Sequence, residues 1–215
     1  MYPALWSKED EFRVRAAAHN LDEQLVAVRP IQQCTRCVIT NQRPRITFNA
    51  EGVCSACQYA EYKRSGIDWT VRSKELCAVL ARYRHPLGRY DVIVPASGGK
   101  DSSHVAWQLR QLGMNPLLAR WEPHMITSIG ARNWQSLLHA GFDAVTAQPN
   151  GLLHRKLSRL ALEFYGDPFL PFIWGQLCWP MHAAVQNGIK LVFFGENGEA
   201  EYGGDTAANN KPCWG

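Results

Sequence analysis

No run of apolar residues in this chain approaches the ~20 needed to cross a bilayer, so no membrane span is expected. The first ten residues carry charge early and hold no apolar core of a secretory leader, so a cytoplasmic chain is expected. A concentrated basic stripe is also missing. Lys and Arg total 23 against 19 Asp and Glu, a net charge of +4. That mild excess suits an anionic small ligand such as a nucleotide and gives little reason to expect nucleic acid. The cysteine count is not even: there are seven, four of them in two close pairs. This favours metal over disulfides, and a reducing compartment. Three familiar phosphate and nucleophile motifs are absent too. No glycine stands five before a Gly-Lys-Ser/Thr, so there is no Walker A loop, and no G-x-G-x-x-G turn occurs. Pro95 stands two before Ser97, which rules out a nucleophile elbow there.

What is present is enough for one sizeable core and a small satellite: 215 residues, 46% of them hydrophobic. The segment 1–30 reads as an N-terminal helix, with Phe12, Val14, Leu21, Leu25 and Val28 spaced for one apolar face and Pro30 ending it. Next come Cys34-Thr-Arg-Cys37 and Cys54-Ser-Ala-Cys57, sixteen residues apart. Two residues between cysteines let both sulfurs of a knuckle reach one ion, and two knuckles close a tetrahedral S4 site with no open position. A structural Zn2+ held by Cys34, Cys37, Cys54 and Cys57 in a ribbon over 31–66 is therefore expected, and an iron–sulfur centre uses the same four ligands. Residues 46–52 between the knuckles read as a hairpin. The stretch 67–89 reads as a linker helix with Trp69, Val71, Leu76, Val79 and Leu80 as its stripe, and with Cys77 as a small buried residue.

From Tyr90 onward, strand-like and helix-like segments alternate. Val92 to Val94 reads as a strand and Ser102 to Leu112 as a helix. Leu117 to Ala119 is a second strand, Thr127 to Ala140 a helix and Ala144 to Thr146 a third strand. Leu152 to Tyr165 is a helix, 166–174 a loop rich in proline and aromatics, Gly175 to Asn187 a helix, and Lys190 to Phe194 the most apolar strand. This order predicts an α/β domain over 90–215, a Rossmann-like parallel sheet with helices on both faces. Ligands of such sheets sit at the carboxyl ends of the strands, from which both the Ser97 loop and the Gly195-Glu196-Asn197 loop depart.

The loop Ser97-Gly-Gly-Lys-Asp-Ser-Ser103 joins the first strand to its helix. Gly98 and Gly99 allow close approach of backbone to a phosphate. Ser97, Ser102 and Ser103 offer hydroxyls and Lys100 a point charge, beside the positive end of a helix. Asp101 in the first turn repels bare phosphate, so a cap or a Mg2+ link is its expected use. Arg120 follows the second strand and is a candidate nucleotide contact. Glu196, Asn197, Glu201 and Tyr202 are candidates to meet substrate or metal. His124 and His182 read as ordinary histidines, and Phe172, Trp174 and Trp179 as core more readily than as a pocket floor.

Ser-Gly-Gly-Lys-Asp-Ser after a first strand resembles the PP-loop of the ATP pyrophosphatases. Together with the two knuckles, Phe48 to Cys57, Thr127 to Asn133 and Gly195-Glu-Asn-Gly-Glu-Ala-Glu-Tyr-Gly-Gly204, it resembles the N-acetyl sugar amidotransferase family. The resemblance implies an enzyme of bacterial surface-sugar synthesis. ATP adenylates the acetamido oxygen of an N-acetyl sugar or nucleotide sugar, and ammonia then displaces AMP to leave an acetamidino group. It further implies ATP on Ser97, Gly98, Gly99, Lys100, Asp101, Ser102, Ser103, Arg120 and Gly195. Lys100, Asp101 and Glu196 would be catalytic, Mg2+ would sit near Asp101 and Glu196, and a separate glutaminase subunit would supply ammonia. The family continues past the point matching Gly204, so the 90–215 domain is expected to be completed by further chain or another subunit. Two alternatives share these features, a PP-loop tRNA thiolase and a non-catalytic nucleotide-binding subunit.

Overall fold

A computed structural model of the protein describes residues 30–198. The helix expected before Pro30 lies outside them, as do Glu201 and Tyr202. The first described unit is the double knuckle. Two antiparallel bridges, Gln33 with Thr40 and Phe48 with Cys54, each close a loop that carries cysteines. Between Phe48 and Cys54 the chain reverses through Asn49, whose N–H reaches Val53 O at 3.1 Å, and Gly52, whose φ of +74° suits a residue without a Cβ. The hairpin expected at 46–52 is thus present, reduced to a single bridge.

A helix that the apolar pattern did not announce follows directly: α1, Ser55–Ser65. Its cap is Cys54, whose sulfur accepts from Cys57 N–H at 3.4 Å, and only Ser55 of the helix is buried. It has no continuous apolar stripe, so the knuckle rather than a core face starts it. Helix α2, Trp69–Tyr83, begins at Asp68, which accepts from Thr70 N and Val71 N as an N-cap aspartate does. The predicted stripe is only partly used. Leu80 is buried and Leu76 packs beside it, whereas Trp69, Val71 and Val79 are exposed. Cys77 is exposed as well, against expectation, on a helix that buries Leu80 alone.

The sheet has strands β1 (Val92–Pro95), β2 (Pro116–Trp121) and β3 (Asp143–Ala147), all parallel and in that order. Lys190 to Phe194 was expected as a full strand. It makes one parallel bridge, Val192 to Ile93, with Ile93 N donating to Leu191 O at 2.9 Å and Phe193 N donating to Ile93 O at 2.8 Å. This short segment lies on the free side of β1, so the spatial order is β3, β2, β1, then residues 191–193. The order of progression reverses beside β1. In open parallel sheets the crevice at such a reversal, outside the strand carboxyl ends, is where ligands bind.

Alternation along β1 and β2 separates two cores. Val92, Val94 and Leu118 face α2, α3 (Lys100–Gln111) and α4 (Ser128–His139), meeting Leu80, Ala106, Leu109, Trp134 and Leu137. Ile93, Leu117 and Ala119 face α6 (Leu170–Gln186), meeting Ala183, Ala184 and Ile189. Helices therefore flank both faces of the sheet, as predicted. Helix α5, Gly151–Tyr165, starts at Asn150 and ends at Gly166, whose φ of +72° makes the left-handed cap. Helix α6 starts five residues before the expected Gly175 and absorbs half of the predicted loop. Pro171 stands in its first turn, where a missing N–H costs nothing. Pro180 lies in its interior, fully buried, and has no N–H to give the Gln176 carbonyl.

Candidate functional site

The double knuckle brings Cys34, Cys37, Cys54 and Cys57 together, with one sulfur from each lying within 4.8 Å of the others. Cys37 Sγ and Cys54 Sγ are 3.6 Å apart, far longer than a disulfide bond of ~2.05 Å. Four sulfurs set about 2.3 Å from one zinc ion stand somewhat under 4 Å apart, so the residues fit one tetrahedral ion. A polynuclear cluster needs a wider ring of sulfurs. Backbone donors prepare Cys34 as a thiolate. Burial alone raises its pKa, but Cys54 N–H at 3.2 Å and Arg36 N–H at 3.3 Å donate to the sulfur and bring it down to about 6. Cys57 goes the other way. Burial and the neighbouring sulfurs of Cys37 and Cys54 push it up to about 12, which is the repulsion a cation relieves.

The second centre lies at the carboxyl ends of β1 and β2. Pro95 and Ala96 lead out of β1 into Ser97, and Gly98 turns the chain with a φ of +84°. A Cβ on Gly98 would stand 2.9 Å from Trp134 N, so glycine is required there by space as well as by φ. Gly99 is the N-cap of α3 and no side chain caps that helix. The loop holds its shape through its own serines: Gly99 N donates to Ser97 Oγ at 3.3 Å, and Ser102 Oγ donates to Gly99 O at 3.4 Å. Lys100 Nζ lies 2.6 Å and 2.8 Å from the two Asp101 carboxylate oxygens, an exposed pair at the helix start.

Ser97, Ser102, Arg120 and Glu196 all line one cleft of about 640 Å³. Its far wall is apolar, formed by Ile126 from the loop after β2, by Phe172 and Leu177 of α6, and by Phe194. Arg120 is 3% exposed, with Nη2 donating to Glu122 Oε1 at 3.0 Å and the guanidinium 4.5 Å above the Trp134 ring. Its Nε lies 2.8 Å from Glu122 Oε2 but has no hydrogen-bond acceptor in line. Burial lowers its pKa and the Glu122 charge raises it. A cation this well shielded keeps its strength toward an anion that enters the cleft, because little water screens it.

The other predicted residues group around this cleft in two ways. Gly195 packs on the first turn of α3, where a Cβ would stand 3.5 Å from the Asp101 carbonyl carbon and 3.2 Å from Val105 Cγ2. Gly98 and Ser103 border a separate hollow of about 450 Å³ with His104, Trp107 and Asn133, on the α4 side of the loop. The structure thus gathers Ser97, Ser102, Arg120 and Glu196 on one surface, holds Gly195 and Asp101 back to back, and turns Ser103 elsewhere. Sequence reasoning missed Thr127, Phe172 and Gln176 as cleft-lining residues. Thr127 carries a local signal, since it caps α4 through Gly130 N at 3.0 Å, but residues of α6 reach the cleft only by tertiary packing.

Among the described residues no helix is long and apolar enough to cross a membrane. No family model matches the chain, and no curated protein matches it either, so the reading of the site stands on its geometry and on the motif resemblances alone.

Proposed function

We propose that the protein is an ATP-dependent amidotransferase with a PP-loop, acting on the acetamido group of an N-acetyl sugar or nucleotide sugar. The observation that carries the proposal is an uncapped helix start behind Ser97-Gly98-Gly99, opening with buried Arg120 on one cleft at the reversal beside β1. Helix N–H groups that no side chain caps, serine hydroxyls and a shielded guanidinium converge there, which is what a polyphosphate needs, although Glu122 already holds part of the Arg120 charge. The loop's resemblance to the PP-loop implies a grip on leaving pyrophosphate rather than on a transferred γ-phosphoryl group.

In this reading the acetamido oxygen attacks the α-phosphorus, the bond to the β-phosphate oxygen breaks and pyrophosphate leaves. Ammonia then adds to the imidate carbon, the carbon–oxygen bond breaks, AMP leaves with the electron pair, and loss of a proton gives the amidine. Ser97, Ser102 and the first-turn N–H groups hold the β,γ-phosphates as charge builds on the departing group, and Lys100 adds a point charge. Asp101 and Glu196 are the hard oxygen donors that would hold Mg2+, whose chemistry is to neutralise phosphate charge. Gly195, which precedes Glu196, packs against the Asp101 backbone, so the loops that carry the two carboxylates meet. Glu196 lines the same cleft as Ser97 and Ser102, which supports a role for it toward the attacking acetamido group. The apolar wall of Ile126, Phe172, Leu177 and Phe194 keeps water from the adenylate. Zinc in the double knuckle is structural, since its four ligands leave no open position.

The ammonia comes from a separate glutaminase subunit in this account. The test is to incubate purified protein with Mg-ATP and ammonium, with and without an acetamido sugar. AMP and pyrophosphate that appear only with the sugar support amidotransfer. Turnover that instead requires tRNA and a sulfur donor would make the chain a thiolase, and bound but uncleaved ATP would make it a nucleotide-binding subunit.

A further inference from the structure

Among the described residues that line the cleft at the carboxyl ends of β1 and β2, Arg120 is the only cation, and what holds it lies outside the cleft. Residues two apart on an extended chain point to the same side, so Glu122, just past the end of β2, stands beside Arg120. Its backbone is tied down, since Glu122 N donates to Ala147 O of β3 at 3.0 Å. Its carboxylate takes one edge of the guanidinium: Oε1 accepts from Nη2 at 3.0 Å, and Oε2 lies 2.8 Å from Nε. The Trp134 ring covers one face at 4.5 Å. Trp134 in turn sits against Gly98 of the Ser97 loop, where a Cβ would reach its backbone. Of the guanidinium nitrogens only Nη1 is left without a partner among the described residues, and unlike Nε it is not sealed from solvent. A planar fork gripped on one edge and one face has its remaining N–H groups fixed in direction.

We infer that Glu122 is a positioning residue: from behind the cleft wall it holds the Arg120 guanidinium so that Nη1 meets a phosphate oxygen of the bound nucleotide. The inference rests on the reading of this cleft as an ATP site. Two effects of the carboxylate oppose each other. Glu122 cancels the Arg120 charge and so weakens the general attraction of the cleft for an anion such as Mg-ATP. It also removes the freedom of a long side chain, so the hydrogen bond to phosphate forms without an ordering cost at the moment of binding. A hydrogen bond depends steeply on direction, whereas the pull of one added charge at the mouth of an open cleft is screened by water and salt. Aim therefore outweighs charge at this position.

The experiment measures Mg-ATP binding to the full chain by calorimetry, at low and high NaCl, in the parent, in Glu122→Gln and Glu122→Asp, and in the same changes combined with Arg120→Met. Glu122 is only partly buried, so both replacements fit, and circular dichroism of each variant checks the fold. In Glu122→Gln the dissociation constant rises by about tenfold or more although the cleft gains net positive charge, and its salt dependence steepens. Glu122→Asp keeps the charge but withdraws the carboxylate by a methylene, so it weakens binding with the salt dependence of the parent. With Arg120→Met present, Glu122→Gln changes the constant by less than about twofold, because no guanidinium remains to be aimed. Equal loss in both backgrounds means that Glu122 acts through packing, and it overturns the inference. So does unchanged or tighter binding in Glu122→Gln. Failure of the wider readings looks different. A parent chain that binds no Mg-ATP refutes the nucleotide site and the inference with it. Mg-ATP that binds with the expected pattern but is never cut to AMP refutes the enzyme reading and leaves the role of Glu122 standing.

Discussion

Gly195 rests on Asp101. A Cβ at residue 195 would stand 3.5 Å from both the carbonyl carbon and the carbonyl oxygen of Asp101 and 3.2 Å from Val105 Cγ2. Residues nearly a hundred positions apart thus bring the two loops that leave β1 and the 191–193 segment into contact. Alanine at 195 needs a shift of a few tenths of an ångström, whereas a branched side chain has no room against the helix. Gly195→Val is expected to cut AMP formation by roughly tenfold or more while far-ultraviolet circular dichroism stays that of the parent. Equal activity of the two proteins would show that the contact does not shape the site.

Gly98 is held from two sides, by its φ of +84° and by the Trp134 backbone 2.9 Å from where a Cβ would be. Gly98→Ala therefore carries a left-handed backbone cost of about 1–2 kcal/mol and a clash with α4 besides. The loop has to shift, and calorimetry should find Mg-ATP binding weakened by about tenfold or more. Wild-type affinity in this variant would mean that the loop does not cradle the phosphates.

One tetrahedral ion in the double knuckle predicts about one zinc per chain by elemental analysis, lost in Cys34→Ser. Removing the metal should release the 31–66 region, seen as new protease cleavage there, because two isolated bridges, α1, an exposed Arg36–Glu61 ion pair and a few loop hydrogen bonds are slight support without it. Iron in place of zinc, with visible absorption, would correct the identity of the ion.

His154 supplies a pH dependence. Burial lowers its pKa, and so does His124, whose ring lies edge-on at 4.6 Å between centroids. The unfolded chain then binds the proton more readily than the folded one. The stability that His154 contributes is fully present above its ordinary pKa of about 6.5 and declines as pH falls below it. Thermal melting should show a midpoint falling over that range, and His154→Phe should flatten the fall. A fall of the same size in the variant would assign it to other groups.

How much of this was legible in the sequence depended on the range of the interactions involved. The two knuckles could be read because a metal demands ligands at short, fixed spacing, and the Ser97 loop because its glycines and serines stand between an apolar strand and a helix. The alternation of strands and helices was readable on the same short range, and the sheet with helices on both faces follows from it. Helix α1 was not legible, since its start depends on a cysteine cap within the knuckle rather than on an apolar stripe. Pro168 and Pro171 made 166–174 look like a loop, yet Pro171 fits the first turn of α6. Trp174 read as core because its neighbours are apolar. Its exposure follows from the way α5 and α6 pack, which no local pattern encodes. Arg120 was expected just after the second strand but lies within β2, and its burial against Trp134 and Glu122 was not legible either.

The central claim is that ATP is cut between its α- and β-phosphates. Phosphorus NMR of the protein with Mg-ATP, ammonium and an acetamido sugar reads this directly. The account predicts AMP and pyrophosphate in equal amounts, abolished in Lys100→Ala. ADP with orthophosphate, or the same AMP yield from Lys100→Ala, would contradict it.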